Sequence, residues 1–254
     1  MKKNIKILIK KIIKEEFNEG FDIDNNTVSF NPHHKNYVNT SFGKTNNKPY
    51  VMKLPYGISY SAYKKTSNNI NPIIKAIKNQ SENYTITKEG YEKFINRTAI
   101  YFAPLIIKEQ IDTILPMESS SKLVKDLTNE ILKKLPKSYE MFKFDKIILK
   151  NPNINAISIS NEYNLNDNTK KSLQYTLEKA KKNKYFEIKN IPPKFRKLVK
   201  NWLYIENNKL ANIIDKNILL IDDYVTTGST LKEASTILHN AGAKKIIAIS
   251  IIKL

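Results

Sequence analysis

Asn217–Thr230, with the sequence NILLIDDYVTTGST, combines a strand, a polar loop and the start of a helix. Its four consecutive apolar residues, Ile218–Ile221, predict a parallel strand buried on both faces, because a half-exposed strand would alternate apolar and polar residues. Downstream, apolar residues at helical spacing predict a helix that ends at Gly242, and Lys245–Ile252 predicts another strand. The sequence therefore predicts a βαβ unit whose polar loop lies at the carboxyl end of the first strand, where open α/β sheets bind ligands.

The loop of this unit carries groups that bind anions. Backbone N–H groups at a helix N-terminus attract negative charge, and Gly228 permits close approach of the backbone. Hydroxyl groups that could add hydrogen bonds flank it at Thr226, Thr227, Ser229 and Thr230. The carboxylates of Asp222 and Asp223 would repel the same anion, so they fit sugar hydroxyls or a metal ion nearby. A phosphate beside a diol describes a ribose 5-phosphate, whereas the competing interpretation is an ordinary helix start capped by Ser229 or Thr230.

Ile218–Thr230 resembles the phosphoribosyl-pyrophosphate (PRPP) signature of type I phosphoribosyltransferases, in which a hydrophobic strand and two acids precede a Thr/Gly/Thr-type phosphate loop. Every position agrees except Tyr224, where the family usually has a small aliphatic residue. The resemblance implies that Asp222 and Asp223 are catalytic residues that hold the ribose hydroxyls, directly or through Mg²⁺. It also implies that Thr226–Thr230 bind the 5-phosphate.

A second strand, loop and helix precede this unit. Asp112–Pro116 predicts a short apolar strand, and the helix that follows to about Leu135 has one apolar face. The resemblance implies that the loop between them binds pyrophosphate, through Glu118, Ser119, Ser120, Ser121 and Lys122. Small serines would permit close approach of the backbone, and Lys122 would add positive charge. The competing interpretation is a helix start capped by the serines.

The segment Lys170–Lys184 is strongly basic. The family has a mobile catalytic loop in this place, often with a basic residue, which closes over PRPP. The resemblance therefore makes Lys170 and Lys171 candidate catalytic residues, whereas the competing interpretation is a lysine-rich helix exposed to solvent. The string Thr169–Gln174 is also similar to the competence-associated phosphoribosyltransferase-like proteins.

The segments before residue 105 predict a mixture of helices and strands. Met1–Phe17 has one apolar stripe and predicts an amphipathic helix that packs on its own domain or on a second subunit. Thr27–Phe30 and Tyr50–Leu54 predict strands, and Thr87–Phe102 predicts a helix that Pro104 closes or kinks.

Further elements complete an α/β fold. Lys146–Leu149 predicts the next core strand, and the apolar spacing in Phe195–Leu203 predicts a helix before the signature strand. We expect a parallel sheet flanked by helices, as in type I phosphoribosyltransferases, over residues 106–254. Residues 1–105 would form an N-terminal helix and an α+β hood that covers the acceptor.

The resemblance implies displacement at C1 of the ribose. The reaction would be a Mg²⁺-dependent transfer of ribose 5-phosphate from PRPP to a nitrogenous base or similar nucleophile, with release of pyrophosphate. Enzymes for 6-oxopurines have an aspartate where this chain has Thr226, which argues against hypoxanthine or guanine as acceptor. An alternative is a non-catalytic member of the fold that senses PRPP or a nucleotide and binds nucleic acid. A PRPP synthetase relative would normally have two tandem copies of the domain, and only one plausible copy is present.

Composition limits the partners of this 254-residue chain. The net charge of +19, from 43 Lys and Arg against 24 Asp and Glu, would suit nucleic acid or a polyphosphate substrate. The lysines are spread along the chain rather than concentrated in blocks, which favours the small substrate. The absence of cysteine excludes disulfides and thiolate metal sites, and we expect a cytoplasmic protein. No apolar run is long enough to span a membrane, so we expect no membrane partner, and a homodimer is compatible with the sequence.

Overall fold

A computed structural model of the chain describes residues 20–24, 27–31, 50–53, 57–58, 76–79, 83–117, 122–139, 142–143, 146–160, 165–182, 186–225 and 227–253. The helix predicted at Met1–Phe17 lies outside these residues. Among the residues described, no helix has both the length and the apolar character needed to cross a membrane.

The described residues form thirteen β-strands and five α-helices. The strands are β1 (Gly20–Asp24), β2 (Thr27–Asn31), β3 (Tyr50–Lys53), β4 (Gly57–Ile58), β5 (Thr85–Ile86), β6 (Thr113–Pro116), β7 (Phe142–Lys143), β8 (Ile148–Lys150), β9 (Ser158–Ile159), β10 (Val199–Lys200), β11 (Leu203–Ile205), β12 (Asn217–Val225) and β13 (Lys245–Lys253). The α-helices are α1 (Lys88–Lys108), α2 (Leu123–Lys134), α3 (Asp167–Lys181), α4 (Pro193–Arg196) and α5 (Ser229–Asn240).

A five-stranded sheet in the order β3-β13-β12-β6-β7 forms the centre of the fold. Each strand is parallel to its neighbours, so the carboxyl ends of all five strands lie at the same edge. β12 is the middle strand, and its residues Ile218–Ile221 have no exposed surface. The uninterrupted apolar run of the sequence corresponds to this two-sided burial.

Two apolar clusters cover the two faces of the sheet. Leu219 and Ile221 belong to one cluster, together with the buried faces of α1 and α2. Ile218 and Leu220 belong to the other, with buried residues of α3 and α5. Alternate residues of a strand point to opposite faces, which explains this division. The predicted α/β class, a parallel sheet flanked by helices, is confirmed.

The part of the chain before residue 106 contributes its own sheet and one strand of the central sheet. Strands β1, β2, β4 and β5 form a separate four-stranded sheet in the order β4-β1-β2-β5. Its residues Val28 and Phe30 are buried, and the Phe30 ring lies 6.0 Å from the ring of Phe94 in α1. Both predicted strands of this region are present, because β2 covers the first and β3, which pairs with β13, covers most of the second.

Helix α1 continues beyond the proline that was expected to end it. The Thr87 hydroxyl caps its start by accepting a hydrogen bond from the Gly90 N–H at 3.1 Å. Pro104 is buried within the helix, which extends to Lys108 because its apolar face, including Phe102 and Ile106, packs in the first cluster. Pro104 was expected to close or kink the helix; closure is wrong, and a kink stays a prediction. The predicted boundary after residue 105 falls inside α1, and the division into two domains stays a prediction.

The strand predicted at Lys146–Leu149 is not part of the central sheet. Strand β8 begins two residues later and pairs antiparallel with β11 in a separate two-stranded sheet. The place beside β6 is taken by Phe142–Lys143 instead. Lys146 has a φ of 58°, a left-handed conformation that a continuous strand would not contain.

The helix predicted at Phe195–Leu203 is also wrong. Helix α4 ends at Arg196, and β10 and β11 follow it on either side of Asn201, whose φ is 63°. Phe195, Trp202 and Leu203 are buried in the second cluster, as the apolar pattern indicates, but a turn rather than a helix brings them together. The Asn201 N–H donates to the Glu233 carboxylate on α5 at 2.6 Å, which fixes this turn against the helix.

We expect Gly242→Ala to lower the free energy of unfolding by about 1 kcal/mol, since a left-handed conformation is unfavourable for residues with a Cβ. Gly242 follows α5 with a φ of 90°, as predicted for a helix end, and its N–H donates to the His239 carbonyl at 3.0 Å. Urea denaturation would measure the loss, with Asn240→Ala at the exposed end of α5 as the control. Equal stability of Gly242→Ala and wild type would contradict the prediction.

Candidate functional site

Asp222 and Asp223 lie near the carboxyl end of β12, in the middle of the central sheet. The Asp223 N–H donates a hydrogen bond of 2.9 Å to Oδ1 of Asp222, which fixes the two carboxylates relative to each other. Asp223 is buried, with 5% of its surface exposed, and Asp222 is partly exposed. The acidic pair, as we call these two residues, therefore occupies the sheet edge at which parallel α/β proteins bind ligands.

Lys78 forms an ion pair with the acidic pair. Its Nζ lies 2.5 Å from Oδ2 of Asp223, and the side chains are 8% and 7% exposed. Sequence reasoning missed Lys78, because it is one of many lysines and lies far from Asp223 in a segment without a recognisable motif. The signal that sets Lys78 apart from the other lysines is its position directly after two apolar residues, Ala76 and Ile77, which are buried in the structure.

Burial, and after it the negative charge of Asp223, raises the pKa of Asp222 from 3.8 to about 7. The Asp223 N–H and the Lys78 ammonium act in the opposite direction, because both stabilise the ionised carboxylate. The carboxyl group of Asp222 therefore changes its charge near neutral pH. A ligand that donates hydrogen bonds to this group, or brings positive charge to it, would favour the ionised form.

The predicted phosphate loop ends in a helix start that has no side-chain cap. Gly228 is the N-cap residue of α5, with a φ of 71°, so neither Ser229 nor Thr230 caps the helix and that interpretation is wrong. The hydroxyl groups of Thr227 and Ser229 lie 2.8 Å apart. The Ser229 N–H makes a long contact of 3.4 Å to the Thr227 hydroxyl. This arrangement leaves hydrogen-bonding groups of the first helical turn for a ligand. Thr226 lies outside the described residues.

The predicted pyrophosphate loop begins directly beside the acidic pair. β6 pairs with β12 up to Pro116, and the Met117 N–H donates to the Ile221 carbonyl at 2.8 Å. Glu118, Ser119, Ser120 and Ser121 lie outside the described residues. Lys122 is exposed and is the N-cap residue of α2, so the predicted serine cap at this position is wrong.

Lys170 and Lys171 lie in the first two turns of α3 rather than in a loop. Asn166 caps this helix by accepting a hydrogen bond of 2.8 Å from the Thr169 N–H. Leu173 and Leu177 are buried, whereas both lysines are exposed. The segment is therefore the exposed lysine-rich helix of the competing interpretation, and the expectation of a loop at these positions is wrong. A catalytic role for the two lysines stays a prediction.

The acidic pair suits Mg²⁺ that arrives with a substrate. Among the residues that the structure describes, no group of three or more His, Cys, Asp or Glu side chains could hold a metal ion. Mg²⁺ commonly keeps several waters and binds through one or two carboxylates together with substrate phosphates. Asp222 and Asp223 can supply those carboxylates, and a polyphosphate would complete the coordination.

Solved structures with a similar backbone include three proteins of phosphoribosyl chemistry. A hypoxanthine phosphoribosyltransferase from Staphylococcus aureus is 13% identical, with 64% of each chain covered and a TM-score of 0.34. A glutamine PRPP amidotransferase from B. subtilis is 13% identical over 69% of this chain and 30% of its own, with a TM-score of 0.35. A purine phosphoribosyltransferase from Pyrococcus horikoshii Ot3 is 12% identical over 64% of this chain and 85% of its own, with a TM-score of 0.33. The chain thus spans less than two thirds of the length of the first two proteins.

The amino-acid sequence also matches a protein family. No curated protein matches the chain. The family model described as phosphoribosyl transferase domain matches residues 155–253, which contain β12, the acidic pair, the predicted phosphate loop, α5 and β13. This match confirms the resemblance to phosphoribosyltransferases predicted from Ile218–Thr230.

Proposed function

We propose that the protein is a Mg²⁺-dependent phosphoribosyltransferase that transfers ribose 5-phosphate from PRPP to a nitrogenous base or similar nucleophile, with release of pyrophosphate. The observation that carries this proposal is the acidic pair at the end of β12 followed by the uncapped start of α5. PRPP offers a ribose diol for the carboxylates and a 5-phosphate for the helix start. The match of residues 155–253 to the phosphoribosyl transferase domain supports the same substrate.

The first turn of α5 would bind the 5-phosphate of PRPP. The helix dipole and the N–H groups beyond Gly228 favour a dianion there, and the hydroxyl groups of Thr227 and Ser229 can donate to it. Thr226 and Thr230 complete the proposed phosphate loop. The left-handed backbone of Gly228 places a sharp turn between Thr227 and the first turn of α5.

Asp222 and Asp223 would accept hydrogen bonds from the ribose hydroxyls. The loop Glu118–Lys122 would bind the pyrophosphate, and this role is supported by the hydrogen bond from Met117 to Ile221, which starts the loop beside the acidic pair. The two loops would then hold opposite ends of PRPP while the acidic pair holds its sugar.

The proposed reaction breaks the bond between C1 and the pyrophosphate oxygen and forms a bond from C1 to the acceptor. Positive charge develops on the sugar, and the carboxylates of the acidic pair stabilise it. Bound Mg²⁺ would neutralise charge on the departing pyrophosphate. The chain contributes mainly by orienting PRPP and the acceptor, which removes much of the entropic barrier to their reaction. The N-terminal part would supply the surface over the acceptor.

We expect the double change Asp222→Asn and Asp223→Asn to lower pyrophosphate release by more than about a hundredfold, because the charge that stabilises the transition state is lost. The assay would combine PRPP, Mg²⁺ and a panel of nitrogenous bases. Asp215→Asn, the same chemical change at an exposed turn residue, is the control. Salt-sensitive binding of DNA or RNA by the wild type, without turnover of PRPP, would favour the non-catalytic alternative.

We expect the single change Asp222→Asn to stabilise the free protein at about pH 8 while weakening its binding of PRPP. The raised pKa means that unfolded chains lose the Asp222 proton above about pH 4, whereas the folded protein keeps it until about pH 7. Wild-type stability therefore falls relative to the variant across this range, and the difference stays constant above it. Thermal unfolding from about pH 4 to pH 8 without Mg²⁺ would measure the difference. A variant that is less stable at high pH would contradict the expectation.

We expect Ser229→Ala to weaken PRPP binding about ten- to hundredfold, since a hydrogen bond to a charged phosphate would be lost. Calorimetric titration with PRPP would measure the effect, and Ser172→Ala on the exposed face of α3 provides the matched control. Unchanged affinity in Ser229→Ala would assign the 5-phosphate to another part of the chain.

A further inference from the structure

We propose that Lys78 is a positioning residue whose ammonium occupies the cation position beside the acidic pair. It would exclude a divalent cation from this position until PRPP binds. The ammonium would neutralise Asp223 in the free protein and leave it when metal and PRPP enter together. The role of PRPP in this inference rests on the proposed function, whereas the ion pair between Lys78 and Asp223 does not.

The first support for this inference is the burial of the contact. Lys78 Nζ and Asp223 Oδ2 are 2.5 Å apart, and less than a tenth of either side chain is exposed. Long lysine side chains are almost never fully buried without a partner, because removing the ammonium from water is unfavourable. The ion pair is therefore a specific feature of the fold, unlike the exposed pairs on the helix surfaces, such as Lys93 with Glu89.

The second support is the way in which the backbone holds Lys78. Ala76 and Ile77 are 3% and 5% exposed and belong to the first apolar cluster, so the chain immediately before Lys78 is anchored in the core. Asn79 has a φ of 53°, and its N–H donates to the Ala76 carbonyl at 3.0 Å, which closes a turn around Lys78. Because residues alternate along β12, Asp223 points to the same face as Leu219 and Ile221, which this cluster covers. The turn and the strand thus bring the two charges together before any ligand binds.

The third support is the charge that the acidic pair presents. Two carboxylates could bind a divalent cation with the help of water, but Oδ2 of Asp223 already contacts a positive charge. A cation at that oxygen would have to displace the Lys78 ammonium or lie against it, and like charges in a buried site repel strongly. A metal that arrives with PRPP differs, because the substrate's phosphates offer the released ammonium new acceptors. Lys78 would therefore make metal binding depend on substrate binding.

The test is titration of the full chain with Mn²⁺, a spectroscopic substitute for Mg²⁺, in the absence of PRPP. We expect Lys78→Met to bind Mn²⁺ at least about tenfold more tightly than the wild type, measured by electron paramagnetic resonance. Lys93→Met removes the same charge from an exposed ion pair and should match the wild type. Adding Asp223→Asn to Lys78→Met should abolish the gain. Equal or weaker binding by Lys78→Met would overturn the proposal.

Lys78→Met removes the ammonium from beside a buried carboxylate, so the folding of this variant needs a separate measurement. If the variant is unfolded without metal, the same titration is followed by circular dichroism. Folding driven by Mn²⁺ supports the proposal, and failure to fold at saturating Mn²⁺ overturns it.

A measurement on the wild type tests the release of Lys78. Acetylation followed by mass spectrometry should find Lys78 protected in the free protein and more reactive with Mg²⁺ and PRPP, while Lys93 reacts equally in both states. Continued protection of Lys78 at saturating PRPP would overturn the release. If calorimetry finds no PRPP binding by the wild type, the proposed function fails, and the Mn²⁺ titration alone decides the role of Lys78.

Discussion

Four consecutive side chains of β12, Ile218–Ile221, are completely buried and alternate between two separate apolar clusters. A charged side chain between the two layers of helices would be strongly destabilising unless it were paired. The first polar residues after the apolar run are therefore Asp222 and Asp223, near the end of the strand. The same burial requires strands on both sides, and β6 and β13 supply them. The position of the acidic pair, the start of the proposed pyrophosphate loop beside it and the helix start of α5 all follow from how β12 is enclosed.

The acidic pair is stable in this place only because the surrounding charges are balanced. Burial and the neighbouring carboxylate raise the pKa of Asp222, while Lys78 and a backbone N–H oppose that effect. Replacing one of the two carboxylates by a neutral residue would remove the repulsion between them. The stability of the fold alone therefore does not favour an acidic pair at this edge of the sheet. The presence of two adjacent carboxylates, one of them buried, is therefore better explained by ligand binding than by folding, and perturbed groups of this kind are typical of functional sites.

The sequence predicted an element correctly where its local pattern has a single physical explanation. The apolar run of β12, the glycine that ends α5 and the strand at Thr113–Pro116 were predicted, because two-sided burial and a left-handed helix end leave clear signals. The pattern at Phe195–Leu203 was ambiguous, since a turn followed by two short strands can bury the same residues as a helix. Pro104 is a local signal for a helix end, but the packing of the apolar face keeps the helix continuous beyond it. Lys78 could not be predicted at all, because its meaning comes from a contact between segments that are distant in the sequence.

The neighbours of β12 also bear on what constitutes an independently folding unit. Residues 155–253 match the transferase domain, yet within the central sheet they contain only β12 and β13. The remaining strands come from earlier parts of the chain, with β6 covering one side of this pair and β3 the other. A fragment limited to the matched region would have two unprotected hydrogen-bonding edges and bare apolar surface where α1 and α2 pack, which are features that promote aggregation. The segment that matches the transferase domain is therefore not an autonomous folding unit, and exchange of this segment between related proteins would have to include the strands that enclose it.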